Sequence, residues 1–87
     1  MSDAPTSLLA DFLVYLGAEL QLSRHTVAAY RRDLEPLLAS RDAIPDAAAL
    51  RDHPAQLRKT HAPASVLRAM AAIRGFCRFL LAEGVIR

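Results

Sequence analysis

At 87 residues the chain has room for one domain, whose core is limited to burying roughly 60–65% of the surface its unfolded form exposes. Hydrophobic residues make up 53% of it, but no apolar run reaches the roughly 18 residues of a membrane span. The stretch Met1 to Ser7 lacks the basic residue and following apolar run of a signal peptide, and one cysteine, Cys77, cannot form an internal disulfide. The expectation is a soluble, cytoplasmic domain.

The net charge of +2 says little, but its distribution says more. Residues 1–22 hold Asp3, Asp11 and Glu19 and no Lys or Arg, for a charge of −3, while residues 23–87 carry +5. Ten of the 11 basic residues are Arg, whose flat fork matches phosphate and guanine geometry. A coding bias that raises Ala and Arg together accounts for the same excess.

The first predicted helix runs from about Ser7 to Leu20, capped by Thr6 or Ser7. Leu9, Phe12, Leu13, Leu16 and Leu20 form its apolar stripe. Gly17 lies inside it, where close packing would explain a residue that disfavours helix. After a break at Gln21-Leu22-Ser23, a second helix starts on the N-cap Ser23 and runs from about Arg24 to Ala39. Val27, Tyr30, Leu34, Leu37 and Leu38 share its apolar face, with Arg32 opposite and Arg31 on the flank. Pro36 predicts a bend near Arg32–Asp33.

Residues 40–52 give the weakest signal, enough for a single helical turn. Pro54 suits the first position of a short third helix ending near His61, capped by Asp52 or His53, with Leu50 and Leu57 as core contacts. The fourth helix is the clearest, from about Pro63–Ser65 to just before Gly84, a natural left-handed cap. Val66, Met70, Ile73, Cys77 and Leu80 form its stripe, widened by Ala69, Phe76 and Leu81. Arg68, Ala71, Ala72 and Gly75 fall on the outer face. Strand signals are missing, so the fold class is all-α, a compact four- to five-helix bundle.

Catalytic and metal chemistry find no support. There is no Gly-rich phosphate loop and no Ser-His-Asp spacing, and His53 and His61 stand eight apart without ligand partners, so no cofactor, metal or small-molecule substrate is expected. Cys77 reads as an inert core thiol. The basic constellation remains: Ser23, Arg24, His25 and Thr26 open one helix, and Ser65 and Arg68 open another. Helix N-termini carry free N–H groups and partial positive charge and bind phosphate, and an Arg there can reach guanine edges. A solvated arginine face has the same sequence. The small-sided face Ala71, Ala72, Gly75 admits a DNA backbone, a partner helix or plain alanine-rich surface.

The order of residues adds a resemblance. The run Leu22-Ser23-Arg24-His25-Thr26-Val27-Ala28-Ala29-Tyr30-Arg31-Arg32-Asp33-Leu34 resembles the signature of the N-terminal core-binding domain of Xer-type tyrosine recombinases of the phage integrase family. Phe12-Leu13-Val14-Tyr15-Leu16 is similar to that family's first helix. Ala62-Pro63-Ala64-Ser65-Val66 and Ala72-Ile73-Arg74-Gly75-Phe76-Cys77-Arg78-Phe79-Leu80 are similar to its last. The resemblance implies a SAM-like bundle forming one half of a clamp on double-stranded DNA, with other recombinase protomers as further partners. It implies that Thr26 and Ser65 touch phosphate, that Arg68 points at base edges, and that His25, Arg31 and Arg32 lie near the backbone, with Arg74 on the last helix. Tyr30 is then structural. The family's catalytic arginines, lysine, histidines and nucleophilic tyrosine belong to a separate C-terminal domain that these residues do not contain, so residues 1–87 are expected to be the DNA-binding domain alone and to hold no catalytic residue. A helical protein-interaction adapter using Ala71, Ala72 and Gly75, or a truncated recombinase relic, is the alternative; a helix-turn-helix regulator fits less well.

Overall fold

The computed structural model describes residues 4–38 and 47–86. Four α-helices make up their regular structure: α1 (Pro5–Ala18), α2 (Arg24–Leu38), α3 (Ala47–Leu57) and α4 (Pro63–Ala82). No strand occurs among the described residues. α4 packs against each of the other three, and α1 also packs on α2.

α1 starts earlier than expected. Ala4 is the N-cap without a side-chain hydrogen bond, and Pro5 takes the first turn. Its fixed φ suits that position, and its missing N–H would have had no partner there. Thr6 and Ser7 therefore lie inside the helix rather than capping it. Leu8, Leu9, Phe12 and Leu16 are buried, with Leu13 packed against them. Leu20 corrects the predicted stripe, because the helix ends at Ala18 and Leu20 is 50% exposed. Gln21 turns the chain with a φ of 55°, and the Leu22 N–H closes back on the Leu16 carbonyl at 3.0 Å. Close packing does not explain Gly17, since a Cβ there would meet nothing within 4 Å. Gly17→Ala should therefore stabilise the domain by about 0.5–1 kcal/mol through helix propensity, read as a higher urea midpoint at unchanged slope.

α2 begins on Ser23 as expected, and the Ser23 Oγ accepts the Thr26 N–H at 3.1 Å. Its buried residues are Ala29, Leu34, Leu37 and Leu38, while Val27 and Tyr30 pack against the core at its margin. Pro36 does not end the helix. It is exposed, so water can reach the Arg32 carbonyl it leaves without a helical donor, and Leu37 and Leu38 just beyond it carry the helix into the core.

α3 departs most from expectation. It starts at Ala47, and Pro54 sits in its interior rather than at its first position. Leu50 and Pro54, one turn apart, are both buried, and Leu57 is half-buried a turn further on. Burial of that stripe offsets the hydrogen bond that Pro54 removes. Of the stretch 40–52, where a single helical turn is expected, residues 47–52 form the start of α3, and residues 40–46 lie outside those described.

α4 ends as predicted. Gly84 has a φ of 75°, its N–H reaches the Leu81 carbonyl at 3.1 Å, and the Val85 N–H reaches the Leu80 carbonyl at 2.9 Å. This is the paired closure of a left-handed glycine cap. The buried stripe is Val66, Ala69, Ala72, Ile73, Phe76 and Leu80. It is thus rotated from the predicted one: Met70 and Cys77 are half-buried and Leu81 is exposed. The reason lies in α1. Phe12 stacks at a tilt on Phe76 and Phe79, with ring centroids 5.3 and 5.5 Å apart, and its ring tip lies 3.4 Å from where a Gly75 Cβ would stand. The Gly75 side of α4 therefore packs against Phe12 of α1. Ala72 is fully buried, and the predicted outer face of Ala71, Ala72 and Gly75 is not an open surface. No observation here favours the adapter alternative.

Candidate nucleic-acid interface

The residues singled out in the sequence lie on α2 and α4. Ser23 and Thr26 form a local unit at the start of α2, with their hydroxyl oxygens 3.0 Å apart. Arg24 and His25 are exposed in the same turn. Neither α2 nor α4 has an acidic residue in its first turn, so the partial positive charge of both N-termini is not neutralised there. Ser65 is half-buried in the first turn of α4, and Arg68 lies one turn further along the same side.

An ion pair joins the two helices. The Arg68 Nε donates to Asp33 Oδ2 at 2.8 Å and its Nη2 donates to Oδ1 at 2.9 Å, a bidentate pair. The Asp33 side chain is only 10% exposed, whereas that of Arg68 is 40% exposed. The hydrogen bonding to Asp33 raises the Arg68 pKa above its ordinary value; partial burial opposes this and the charge of Asp33 reinforces it. Asp33 stands seven residues after Thr26, so the two share one edge of α2, about 10 Å apart along its axis. Arg68 of α4 therefore leans on the α2 edge that starts at Thr26. The sequence reading missed Asp33. A signal was present, since an acid beside Leu34 at the rim of an apolar stripe needs a cation from a neighbouring element.

The remaining arginines spread over the outward surfaces. Arg32 is exposed opposite the buried face of α2. Arg31 pairs along the helix with Glu35, Nε to Oε1 at 2.7 Å, and both are well exposed. Such an exposed pair contributes only a few tenths of a kcal/mol and yields readily to a competing anion. Arg74 is also exposed, but it lies about 120° around α4 from Arg68, so the two do not share an edge. Among the described residues, Arg24, Arg32 and Arg74 form no ion pair, and no group of three or more potential metal ligands is found. Cys77 is half-buried, and burial raises its thiol pKa, which favours the protonated form. No helix among the described residues is long and apolar enough to cross a membrane.

Residues 9–84 match the family model described as phage integrase, N-terminal SAM-like domain. The chain belongs to this family. The curated relatives of this SAM-like domain include the tyrosine recombinase XerD of Lacticaseibacillus casei, 38% identical over 86 residues, which cover 92% of this chain and 29% of the relative. They also include the tyrosine recombinase XerC of Azotobacter vinelandii, 40% identical over 84 residues covering 87% and 28% of the two chains. The tyrosine recombinase XerC of Xanthomonas campestris pv. campestris is 40% identical over 95 residues covering 98% and 29%. The chain thus spans less than a third of the length of these relatives. No solved structure matches significantly. The match with the SAM-like family takes in α2 and α4 together with the Arg68–Asp33 bridge between them.

Proposed function

We propose that this SAM-like domain grips duplex DNA for a site-specific tyrosine recombinase, with α2 and α4 as the contact surface. The observation that carries the reading is the bridge from Arg68 to Asp33. It ties the opening turns of α4 to the Thr26–Asp33 edge of α2 and so brings together two helix starts that carry no acidic residue in their first turns. Ser23, Arg24, His25, Thr26 and Ser65 are assigned to phosphates at the helix starts, and Arg31, Arg32 and Arg74 to the flanking backbone. Arg68 is assigned to base edges. Strand cleavage and rejoining belong to other parts of such a recombinase, and further protomers complete the grip around the duplex. A cytoplasmic setting follows from a DNA substrate.

The test is the salt dependence of duplex binding. Four exposed arginines lie outside the bridge at the assigned positions: Arg24, Arg31, Arg32 and Arg74. Neutralising about four phosphates gives a slope of log K against log salt of about −3.6, so a fourfold rise in salt should weaken binding roughly a hundredfold. Binding that barely responds to salt, or no shift of a labelled duplex at low salt, contradicts the reading.

A further inference from the structure

We infer that Asp33 is a positioning residue that holds one edge of the Arg68 guanidinium so that its other edge is presented, already oriented, to a guanine in duplex DNA. The inference rests on the DNA-binding reading and adds to it how Arg68 reads a base. An arginine has five N–H donors in a fixed plane. Asp33 takes the side edge, Nε and one N–H of Nη2. Three donors remain, two on Nη1 and one on Nη2, and the Nη1/Nη2 edge is the parallel pair that matches O6 and N7 of guanine. Burial fixes the order of the partners. The Asp33 side chain is on the protein side at 10% exposure, and that of Arg68 is the more exposed partner at 40%.

Two consequences separate this arrangement from an ordinary phosphate contact. First, Asp33 is an in-built counter-ion, so Arg68 brings little net charge to the DNA and what it offers is direction. Second, Asp33 holds the side chain before binding, so most of the rotamer freedom an unpaired arginine loses on binding is already gone. Asp33 thus contributes to discrimination between bases and not to general affinity. Removing its charge takes a carboxylate away from the polyanion and should leave binding to arbitrary sequence unchanged or slightly stronger.

The experiment selects bound duplexes from a pool with a randomised site, using the full chain and two variants, Arg68→Met and Asp33→Asn. Arg68→Met is expected to flatten the preference at one G·C position by roughly tenfold or more. Asp33→Asn is expected to flatten that same position by at least about threefold, leaving the other positions and the retention of scrambled duplex as in the unmutated chain. Loss at that position in Arg68→Met with full preference in Asp33→Asn overturns the proposal, as does a uniform loss across all positions. Should Asp33→Asn lose its helical circular dichroism, side-chain NMR of the unmutated chain decides. The Arg68 Nε–H is expected to keep its bridged shift when the selected duplex is added, while the Nη signals move; release of the Nε–H on binding overturns the proposal. If the unmutated chain retains none of the pool at low salt, the DNA reading itself falls, and this proposal with it. If it retains duplex but no position depends on Arg68, only the proposal falls.

Discussion

Phe12→Ala is expected to destabilise the bundle by about 3–5 kcal/mol. The ring is almost wholly buried, contacts Phe76 and Phe79 at centroid distances of 5.3 and 5.5 Å, and fills the space over Gly75. Its loss removes the transfer term and leaves a cavity at the α1–α4 junction, which is lined by helices that cannot collapse without moving α4. A domain of this size has a total stability of about 4–13 kcal/mol, so the variant loses a large share of it and, at the lower end of that range, is unfolded at 37 °C. Urea unfolding followed by circular dichroism checks this. A loss below about 1 kcal/mol would mean that the three rings do not form the centre of the core. Because α4 carries Ser65 and Arg68, the variant should also bind DNA weakly at temperatures where it begins to melt, and normally where it is folded.

The second large effect is on binding. Arg24→Ala combined with Arg32→Ala removes two exposed cations that form no ion pair among the described residues and do not contribute to the core. Fold stability should change by less than about 0.5 kcal/mol. If each arginine neutralises one phosphate, the salt slope should fall from about −3.6 to about −1.8. Extrapolated from a common point at 1 M salt, that is roughly a sixtyfold loss of affinity at 0.1 M, the same for every duplex sequence. Fluorescence anisotropy of a labelled duplex at four or five salt concentrations measures both quantities. An unchanged slope would remove these two residues from the phosphate set. A sequence-dependent loss would move them to base reading.

Where local chemistry was decisive, the fold could be read from the sequence. Ser23 announced the start of α2 and Gly84 the end of α4, because a hydroxyl cap and a left-handed glycine are properties of a few consecutive residues. The stripes of α1 and α2 were legible because their apolar positions repeat with one helical period. α4 was harder, since two overlapping stripes fit its sequence equally well. The choice between them was made by Phe12, whose ring lies on Phe76 and over Gly75, and that is a tertiary fact. Pro54 misled for a similar reason. By local rules a proline opens a helix, but here burial of Leu50 and Pro54 on one stripe outweighs the missing hydrogen bond.

The candidate site was legible residue by residue but not as an arrangement. Arginines at helix starts are visible in the sequence, whereas the pairing of Arg68 with an acid 35 positions earlier depends on how α4 crosses α2. That pairing changes the reading of Arg68 from a free cation to a held fork. It also distinguishes Arg68 from Arg74, which lies on a different side of the same helix.

Backbone amide NMR of the chain titrated with a short duplex at low salt tests most directly whether α2 and α4 present a single DNA-facing surface. The largest shifts are expected at Arg24, His25 and Thr26 together with Ser65 and Arg68, all following one binding curve, while Val14 of α1 and Gln56 of α3 stay in place. Shifts confined to α1 or α3, or two groups of residues on α2 and α4 that saturate at different duplex concentrations, would contradict it.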